Sequence, residues 1–180
     1  MLIDVTKGAP GAVPHHGYLT VAGRRFDCAL GRSGLSRAKR EGDGATPVGT
    51  FALREVLYRP DRGPAPITAL PCRAIEEADG WCDDPAADAY NQPVRFPFTA
   101  RAEHLWRADA LYDLIVVIGH NDDPPVAGAG SAIFLHVAGT GGAGQGLAAT
   151  EGCVALEAEA LRALVARLAP GDTITIRDDE

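Results

Sequence analysis

Short apolar stretches recur along the chain, rich in β-branched or alternating apolar residues and mostly bounded by Gly or Pro. This pattern is typical of β-strands. It predicts seven strands, at residues 3–5, 18–22, 25–30, 49–56, 112–118, 132–137 and 173–176. No internal repeat or low-complexity tract separates them. We therefore expect one domain, residues 1–180, because this length suits a single core.

One segment has the spacing of an amphipathic helix. Between residues 157 and 168, apolar side chains recur at i, i+3, i+4 and i+7, namely at Leu161, Leu164, Val165 and Leu168. Pro170 and Gly171 predict where this helix ends. A second, weaker helix is predicted at residues 102–110. Together these elements predict an α+β fold that is mainly β.

The segment 60–97 is too long for an ordinary connection between two elements. Segments of that length are usually functional or disordered, and Trp81 with the tyrosine-flanked turns favours order. The chain's 21 Gly and 13 Pro agree with many turns and long surface loops.

The charge and hydropathy of the chain exclude some classes of partner. The formal net charge of -7 disfavours a nucleic acid, because phosphate binding needs clustered Lys and Arg, and the one basic run, at residues 37–40, is short. No apolar stretch is long enough to span a membrane. The first residues lack the basic leader and apolar core of an export signal. If the chain is complete, we expect a cytoplasmic monomer without a membrane span.

The four cysteines are Cys28, Cys72, Cys82 and Cys153, and they form no C-x-x-C pair. The spacing of a structural zinc site is therefore absent, and we expect no metal. Cys72 and Cys82 can be bridged across a loop in an oxidising compartment, but two isolated thiols are the state we expect.

Cys153 lies in the heptapeptide TEGCVAL, residues 150–156, between a Gly-rich loop and the predicted helix. A thiol near a helix N-terminus has its thiolate stabilised by the helix dipole. Gly152 lets the backbone approach closely enough for N–H groups to face a developing oxyanion. The alternative is a small buried cysteine without chemistry, and the heptapeptide alone does not separate the two.

A thiolate nucleophile needs an imidazole, and His136 ends the apolar strand AIFLHVA. Small residues between His136 and Cys153 allow the strand end and the Gly-Cys corner to meet. His120 also follows an apolar strand, so two paired strands can bring both imidazoles to one edge of a sheet. A zinc site formed by these two histidines and Cys153 fits the same geometry, but the ligand spacing offers no support for it.

Five blocks of sequence stand out along the chain: KREGDGATPVGTF (39–51), GWCDDP (80–85), YNQPV (90–94), GSAIFLH (130–136) and TEGCVAL (150–156). Together they resemble the YkuD-type L,D-transpeptidase catalytic domain, in its branch with a GCVAL motif. The blocks follow the order found in that branch and span most of the chain. The resemblance implies a curved β-sandwich of the L,D-transpeptidase type, with one well-defined helix after the catalytic Cys.

The family's signature is a His, a spacer and then Ser/Thr-His-Gly-Cys. By resemblance, His136 matches the general base and Cys153 the nucleophile. Thr150 and Gly152 match the Ser/Thr and the Gly of the signature. The catalytic residues that the resemblance implies are therefore Cys153, His136 and Gly152, with no metal or organic cofactor.

Two positions depart from this signature. Glu151 stands where the family usually has its second His, and Ala155 stands where many members carry Arg or Asn. We expect Glu151 to meet a cationic group, and we favour a substrate ammonium over His136 or His120. The residues expected to contact the substrate are His120, Asn121, Thr150, Glu151, Arg40, Lys39, Trp81, Tyr90 and Asn91.

The resemblance implies an enzyme that cross-links diaminopimelate-containing stem peptides of peptidoglycan. The Cys153 thiolate would attack a stem carbonyl, and an amine of a neighbouring stem would then attack the acyl-enzyme. Water in place of the amine would make the protein an L,D-carboxypeptidase, and an inert thiol would leave a module that only binds such peptides. Fast alkylation of Cys153 at neutral pH would favour an enzyme. The family also implies a periplasmic or cell-envelope location.

Overall fold

The computed structural model describes residues 1–141 and 146–178, which form fourteen strands and one helix. In chain order the strands are β1 (Leu2–Lys7), β2 (His16–Val21), β3 (Arg24–Ala29), β4 (Leu35–Ser36), β5 (Thr46–Pro47), β6 (Gly49–Tyr58), β7 (Cys72–Ala74), β8 (Asp79–Cys82), β9 (Pro93–Arg95), β10 (Ala102–His104), β11 (Leu114–Ile118), β12 (Phe134–Val137), β13 (Val154–Leu156) and β14 (Thr173–Arg177). The helix, α1, spans Ala158–Val165 and lies between β13 and β14 in the chain.

Nine of these strands form one sheet that closes on itself. Their order is β11-β12-β13-β3-β2-β1-β14-β6-β7. Closure depends on the long strand β6, whose first residues pair with β14 and whose later residues pair with β11. The result is a barrel-like sandwich. A smaller sheet has the order β10-β8-β9, and β4 pairs with β5.

The prediction of a mainly β fold with one helix is confirmed. Each of the seven predicted strands is present within a few residues of its predicted bounds. The predicted helix is α1, although it ends at Val165, and Leu168 is buried in the turn that follows. The finer description of the sheet as a curved sandwich stays a prediction.

The second helix, predicted at residues 102–110, is wrong. The first three of these residues form β10, which pairs antiparallel with β8. The residues after β10 form turns, and in one of them the Asp109 carboxylate accepts a hydrogen bond from the Leu111 N–H at 3.2 Å. Such local bonds compete with helical ones. Glu103 and Arg107 do lie 3.8 Å apart at i,i+4, a spacing that imitates a helical ion pair.

The segment 60–97 is ordered around one buried carboxylate. Asp79, at the start of β8, accepts hydrogen bonds from Arg73 at 2.7 Å, from Arg95 at 3.0 Å and from the Glu76 N–H at 3.0 Å. These bonds join β7, β8 and β9. Trp81 of β8 is buried against the large sheet, as its ring contact with Phe134 shows.

The strands β11, β12 and β13 bury both of their faces. In β12, Leu135 and Val137 belong to the main apolar cluster, which also includes the buried side of α1. Phe134, the residue before Leu135, points to the other face and belongs to a second cluster, whose members near β12 include Trp81, Tyr112 and Cys153. Because both faces are covered, this part of the chain is a continuous apolar run in sequence rather than an alternating one.

Truncating the buried side of α1 should destabilise the whole fold. Leu161 is 0 % exposed, so Leu161→Ala should lower the free energy of unfolding by about 2–5 kcal/mol. The matched change Leu2→Ala, at a side chain that is 50 % exposed, should cost less than about 1 kcal/mol. Urea denaturation measures both. Equal losses would show that α1 does not pack against the core as described.

Candidate active site

The register between β12 and β13 places Cys153 and His136 on one face of the sheet. The two strands run parallel, with Leu135 beside Val154 and His136 beside Ala155. Since alternate residues of a strand share a face, Cys153 points to the same side as His136, two residues away along the strand. That side carries the second apolar cluster.

The Cys153 thiol is buried and forms hydrogen bonds with two backbone groups. Its S–H donates to Ala132 O at 3.2 Å, and the Phe134 N–H donates to its sulfur at 3.3 Å. Burial, followed by the negative charge of Glu103, raises the pKa of Cys153 to about 12. The thiol is therefore neutral in the free protein at pH 7. A general alkylating agent should react with it slowly even if it is catalytic, so alkylation rate does not separate an enzyme from a binding module.

The prediction that Cys153 lies at a helix N-terminus is wrong, because β13 separates it from α1. The groups that favour its thiolate are instead the Phe134 N–H and the Lys39 ammonium, both of which lower the pKa of Cys153 against the effect of burial. The helix dipole acts only over the first turn of a helix and does not serve this thiol.

Gly152 allows the backbone turn that leads into Cys153. Its φ is 141°, and a Cβ at this position would lie 2.8 Å from Ala45 O, so a larger residue would clash with the backbone. Its N–H donates to Thr150 Oγ1 at 3.1 Å, and the Thr150 hydroxyl donates to Cys153 O at 2.7 Å. Thr150 thereby fixes the backbone on both sides of Gly152.

The His136 imidazole is buried, with the edge of the Tyr112 ring against it at 5.4 Å between centroids. Its Nδ1 lies 2.8 Å from Val137 O. A carbonyl only accepts, so Nδ1 carries the proton and Nε2 carries the lone pair. Burial lowers the pKa of His136 to about 4, which keeps the ring neutral at pH 7. A neutral ring held in this tautomer has the form that a general base requires.

Cys153 and His136 line one cavity with a volume of about 630 Å³. This volume is in the range of pockets that hold small molecules and short peptides. The charged residues at its wall include both signs. They are Lys39, Arg101, Arg107, Glu41, Asp83, Glu103 and Glu151.

Three of the predicted substrate contacts line this cavity: Lys39, Thr150 and Glu151. The Lys39 side chain is only 6 % exposed, and its Nζ donates to Asp43 at 2.5 Å. A Cβ built on Gly152 would lie 3.4 Å from this Nζ, so the ammonium is next to the backbone that precedes the thiol.

The other six predicted contacts lie outside the lining of the cavity: Arg40, Trp81, Tyr90, Asn91, His120 and Asn121. The expectation that His120 and His136 reach one edge is wrong, because β11 and β12 run antiparallel with Ile115 opposite His136. His120 follows the far end of β11, where its Nε2 lies 2.9 Å from Ala129 O. Arg40 is exposed on the loop that carries Lys39.

Asn91 does not line the cavity; its side-chain oxygen bonds two residues that pack next to it. Its Oδ1 accepts the Ala132 N–H at 3.0 Å and the Trp81 Nε1–H at 2.9 Å. Ala132 has a φ of 52°, a left-handed conformation that is unfavourable for an alanine and has to be stabilised by its neighbours. Asn91 thus holds the residue whose carbonyl accepts the Cys153 S–H.

Tyr90 and Asn121 hold Gly130, two residues before Ala132. The Tyr90 hydroxyl accepts the Gly130 N–H at 3.0 Å and donates to Glu41 at 2.5 Å, and Ser131 donates to the same carboxylate oxygen at 2.7 Å. The Asn121 amide donates to Gly130 O at 2.9 Å. These polar residues therefore fix the loop before β12 rather than a substrate.

Glu151 has a partner that sequence reasoning did not consider. Its carboxylate lies 3.0 Å from the Arg32 Nε, and the two side chains are 78 % and 53 % exposed. It therefore meets neither His136 nor His120 in the free protein. An ion pair this exposed contributes little free energy and exchanges its partner readily.

Sequence reasoning missed Glu103, Tyr112 and Arg107, which line the same cavity. The Tyr112 hydroxyl donates to Glu103 Oε1 at 2.7 Å, and the Arg107 guanidinium lies over the Tyr112 ring at 5.1 Å. Burial raises the pKa of the Glu103 carboxyl, although Tyr112 and Arg107 oppose the effect. Glu103 and Arg107 lie in the segment predicted as a weak helix, and Tyr112 begins a predicted strand, so none of the three was considered as a residue of the site.

A metal site and a reactive second cysteine are the other kinds of site to consider. Within 1–141 and 146–178, no group of three His, Cys, Asp or Glu side chains is arranged to hold a metal ion. Cys72 is an exposed free thiol, and Cys82 is a buried one.

A thiol and an imidazole that face one cavity from neighbouring strands form the arrangement used by cysteine acyltransferases and cysteine hydrolases. The model of the YkuD family, the L,D-transpeptidase catalytic domain, matches residues 17–176 of the chain. The chain therefore belongs to the YkuD family, and the family predicted from its motifs is confirmed. Its assignment to the GCVAL branch stays a prediction.

No curated protein and no solved structure gives a significant match to the chain. Among the helices of the part of the chain that the structure describes, none is long and apolar enough to cross a membrane.

The buried neutral His136 should make the fold less stable in acid. Its pKa falls from 6.5 in the unfolded chain to about 4 in the fold, so the unfolded chain binds the proton first as the pH drops. The stabilisation is fully present above about pH 6.5 and is lost towards pH 4, a change of about 3 kcal/mol at most. The stability advantage of wild type over His136→Gln in urea should shrink accordingly between pH 7 and pH 4. Parallel pH profiles would show that folding does not change the proton affinity of His136.

Proposed function

We propose that this protein is an L,D-transpeptidase that forms peptidoglycan cross-links through an acyl-enzyme on Cys153. The observation that carries the proposal is the cavity shared by the Cys153 thiol and the His136 imidazole, in a chain of the YkuD family. Membership of this family supports an enzyme of the L,D-transpeptidase kind with a peptidoglycan substrate. It also favours the cell envelope as the place of action.

Acylation starts from a neutral thiol and a neutral imidazole, because burial disfavours both charges. The Cys153 S–H leaves Ala132 O and turns to His136 Nε2. The sulfur attacks the carbonyl that follows an L-centre of a diaminopimelate-containing stem, while Nε2 takes the thiol proton. The C–N bond then breaks, His136 returns that proton to the leaving amine, and a thioester remains on Cys153.

The oxyanion formed in this step needs donors close to Cys153. The Gly152 N–H is already bonded to Thr150 Oγ1, so of the two amides expected from the sequence we assign the Cys153 N–H to the oxyanion. Lys39 Nζ, next to Gly152, adds a positive charge. In a cavity of low dielectric constant this charge acts more strongly than it would in water.

The thioester is then resolved by an amine or by water. An amine of a neighbouring stem gives a cross-link, whereas water gives a trimmed stem and makes the protein an L,D-carboxypeptidase. Charges of both signs at the cavity wall suit the zwitterionic end of a diaminopimelate side chain, which favours transfer. A binding module without chemistry would give neither product, so mass spectrometry of muropeptides incubated with the protein separates the three possibilities.

Cys153→Ala should abolish both cross-linked and trimmed products, because it removes the attacking sulfur. Intact-protein mass spectrometry should also find no acyl adduct on this variant after exposure to a stem peptide. Cys72→Ser, at an exposed thiol remote from the cavity, is the matched control and should retain wild-type turnover. Product formation by a well-folded Cys153→Ala variant would contradict the mechanism.

His136→Ala should reduce kcat/KM by about two to four orders of magnitude, the usual effect of losing a general base. His120→Ala should cost less than about tenfold, since its ring is bonded to Ala129 O outside the cavity. Initial rates of muropeptide conversion measure both. If the larger loss belongs to His120, the roles of the two histidines have to be exchanged.

A further inference from the structure

One acidic side chain of the cavity, Glu103, is bonded to a residue that contacts the His136 ring. Glu41 accepts two hydrogen bonds from hydroxyl groups, Asp83 is paired with Arg101 at 3.0 Å, and Glu151 is paired with Arg32 at the surface. Glu103 accepts the Tyr112 O–H with Oε1, and the same oxygen lies 3.8 Å from Arg107 Nη1. No donor within residues 1–141 and 146–178 bonds its Oε2, so the cavity wall carries a carboxylate oxygen that can still accept.

Glu103 is also close to the reacting groups. Tyr112 links it to the base, since the tyrosine hydroxyl is bonded to Glu103 while its ring lies against His136. After burial, the Glu103 charge is the strongest influence raising the pKa of Cys153. A carboxylate that opposes the thiolate is unfavourable for the first step of catalysis, so its presence points to a role in another step.

The second step of transfer needs a group that can accept a proton from the incoming amine, and the Glu103 carboxylate is such a group. The incoming amine of a stem peptide is an ammonium at neutral pH and has to lose protons before it can attack. Resting on the proposed function, we propose that Glu103 binds the acceptor ammonium beside the Cys153 thioester and takes its first proton. The site thereby favours an amine over water as the second substrate.

The protons balance as follows. The ammonium gives one proton to Glu103, and the neutral amine attacks the thioester carbonyl. The C–S bond breaks, the amide nitrogen gives a second proton to His136, and His136 passes it to the departing Cys153 sulfur. Glu103 releases its proton to solvent. The net result is one amide, a free thiol and one proton for each ammonium consumed.

The test is the ratio of cross-linked to trimmed product formed from one acyl-enzyme, which does not depend on how fast that acyl-enzyme forms. A diaminopimelate-containing stem peptide serves as donor and acceptor, and mass spectrometry counts both products. In Glu103→Gln, which can still accept the Tyr112 hydrogen bond, the ratio should fall by about tenfold or more, because a charge-assisted bond to the ammonium is lost. Glu77→Gln, at an exposed acid outside the cavity, should keep the wild-type ratio. Hydroxylamine, uncharged at neutral pH, should intercept the acyl-enzyme as well in Glu103→Gln as in wild type.

Each result that would contradict the proposal points to a different explanation. If both products fall together with an unchanged ratio, Glu103 acts through Tyr112 on His136 and the proposal is overturned. If Glu151→Gln lowers the ratio and Glu103→Gln does not, the ammonium binds at Glu151. If Glu103→Gln does not fold, Glu103→Asp replaces it in the test. This variant keeps the negative charge but shortens the side chain, so the ratio of cross-linked to trimmed product should be intermediate. A wild-type ratio in Glu103→Asp would show that the position of the carboxylate does not matter and would overturn the proposal. A wild-type protein without an acyl adduct on Cys153 refutes the proposed function itself, and this inference falls with it.

Discussion

The parallel pairing of β12 with β13 is the constraint on which the site depends. It sets Cys153 and His136 on one face although they lie far apart in sequence, and a slip of one residue would turn the thiol into the main apolar cluster. Parallel neighbours require a crossover of about a dozen residues or more, and the connection from 138 to 153 meets that length. The strand that carries His136 and the one that follows Cys153 are thus parts of one hydrogen-bonded unit.

Burial then determines the chemistry that this unit can perform. It raises the pKa of Cys153 and lowers that of His136, so the resting pair is uncharged. A low dielectric environment also strengthens the few charges that remain near the sulfur. Lys39 favours the thiolate, whereas Glu103 opposes it. The cavity therefore presents charges of both signs near the sulfur; in the reaction proposed above, the cation suits the developing oxyanion and the anion suits an incoming ammonium.

The sequence predicted those features that depend on local periodicity and failed where distant partners decide. The spacing of Leu161 and its neighbours identified α1, and the apolar run ending in His136 identified β12. Three residues of β13 carry no period of their own, since their pairing with β12 makes them a strand, and the dipole argument for Cys153 failed with them. Glu103 was missed because residues 102–110 were predicted as a weak helix, whereas pairing with β8 makes the first three of them a strand.

The motif residues outside the cavity show why a match in sequence does not define a contact. Asn91 lies in one of the blocks that carry the family resemblance, yet its oxygen bonds the Ala132 N–H and Trp81. Ala132 keeps its left-handed φ only if such a partner offsets the strain. Its carbonyl in turn accepts the Cys153 S–H hydrogen bond, so Trp81 of the small sheet is connected to the sulfur through three hydrogen bonds. A residue of this kind is constrained by the position of Cys153, and a sequence match alone does not reveal such a supporting role.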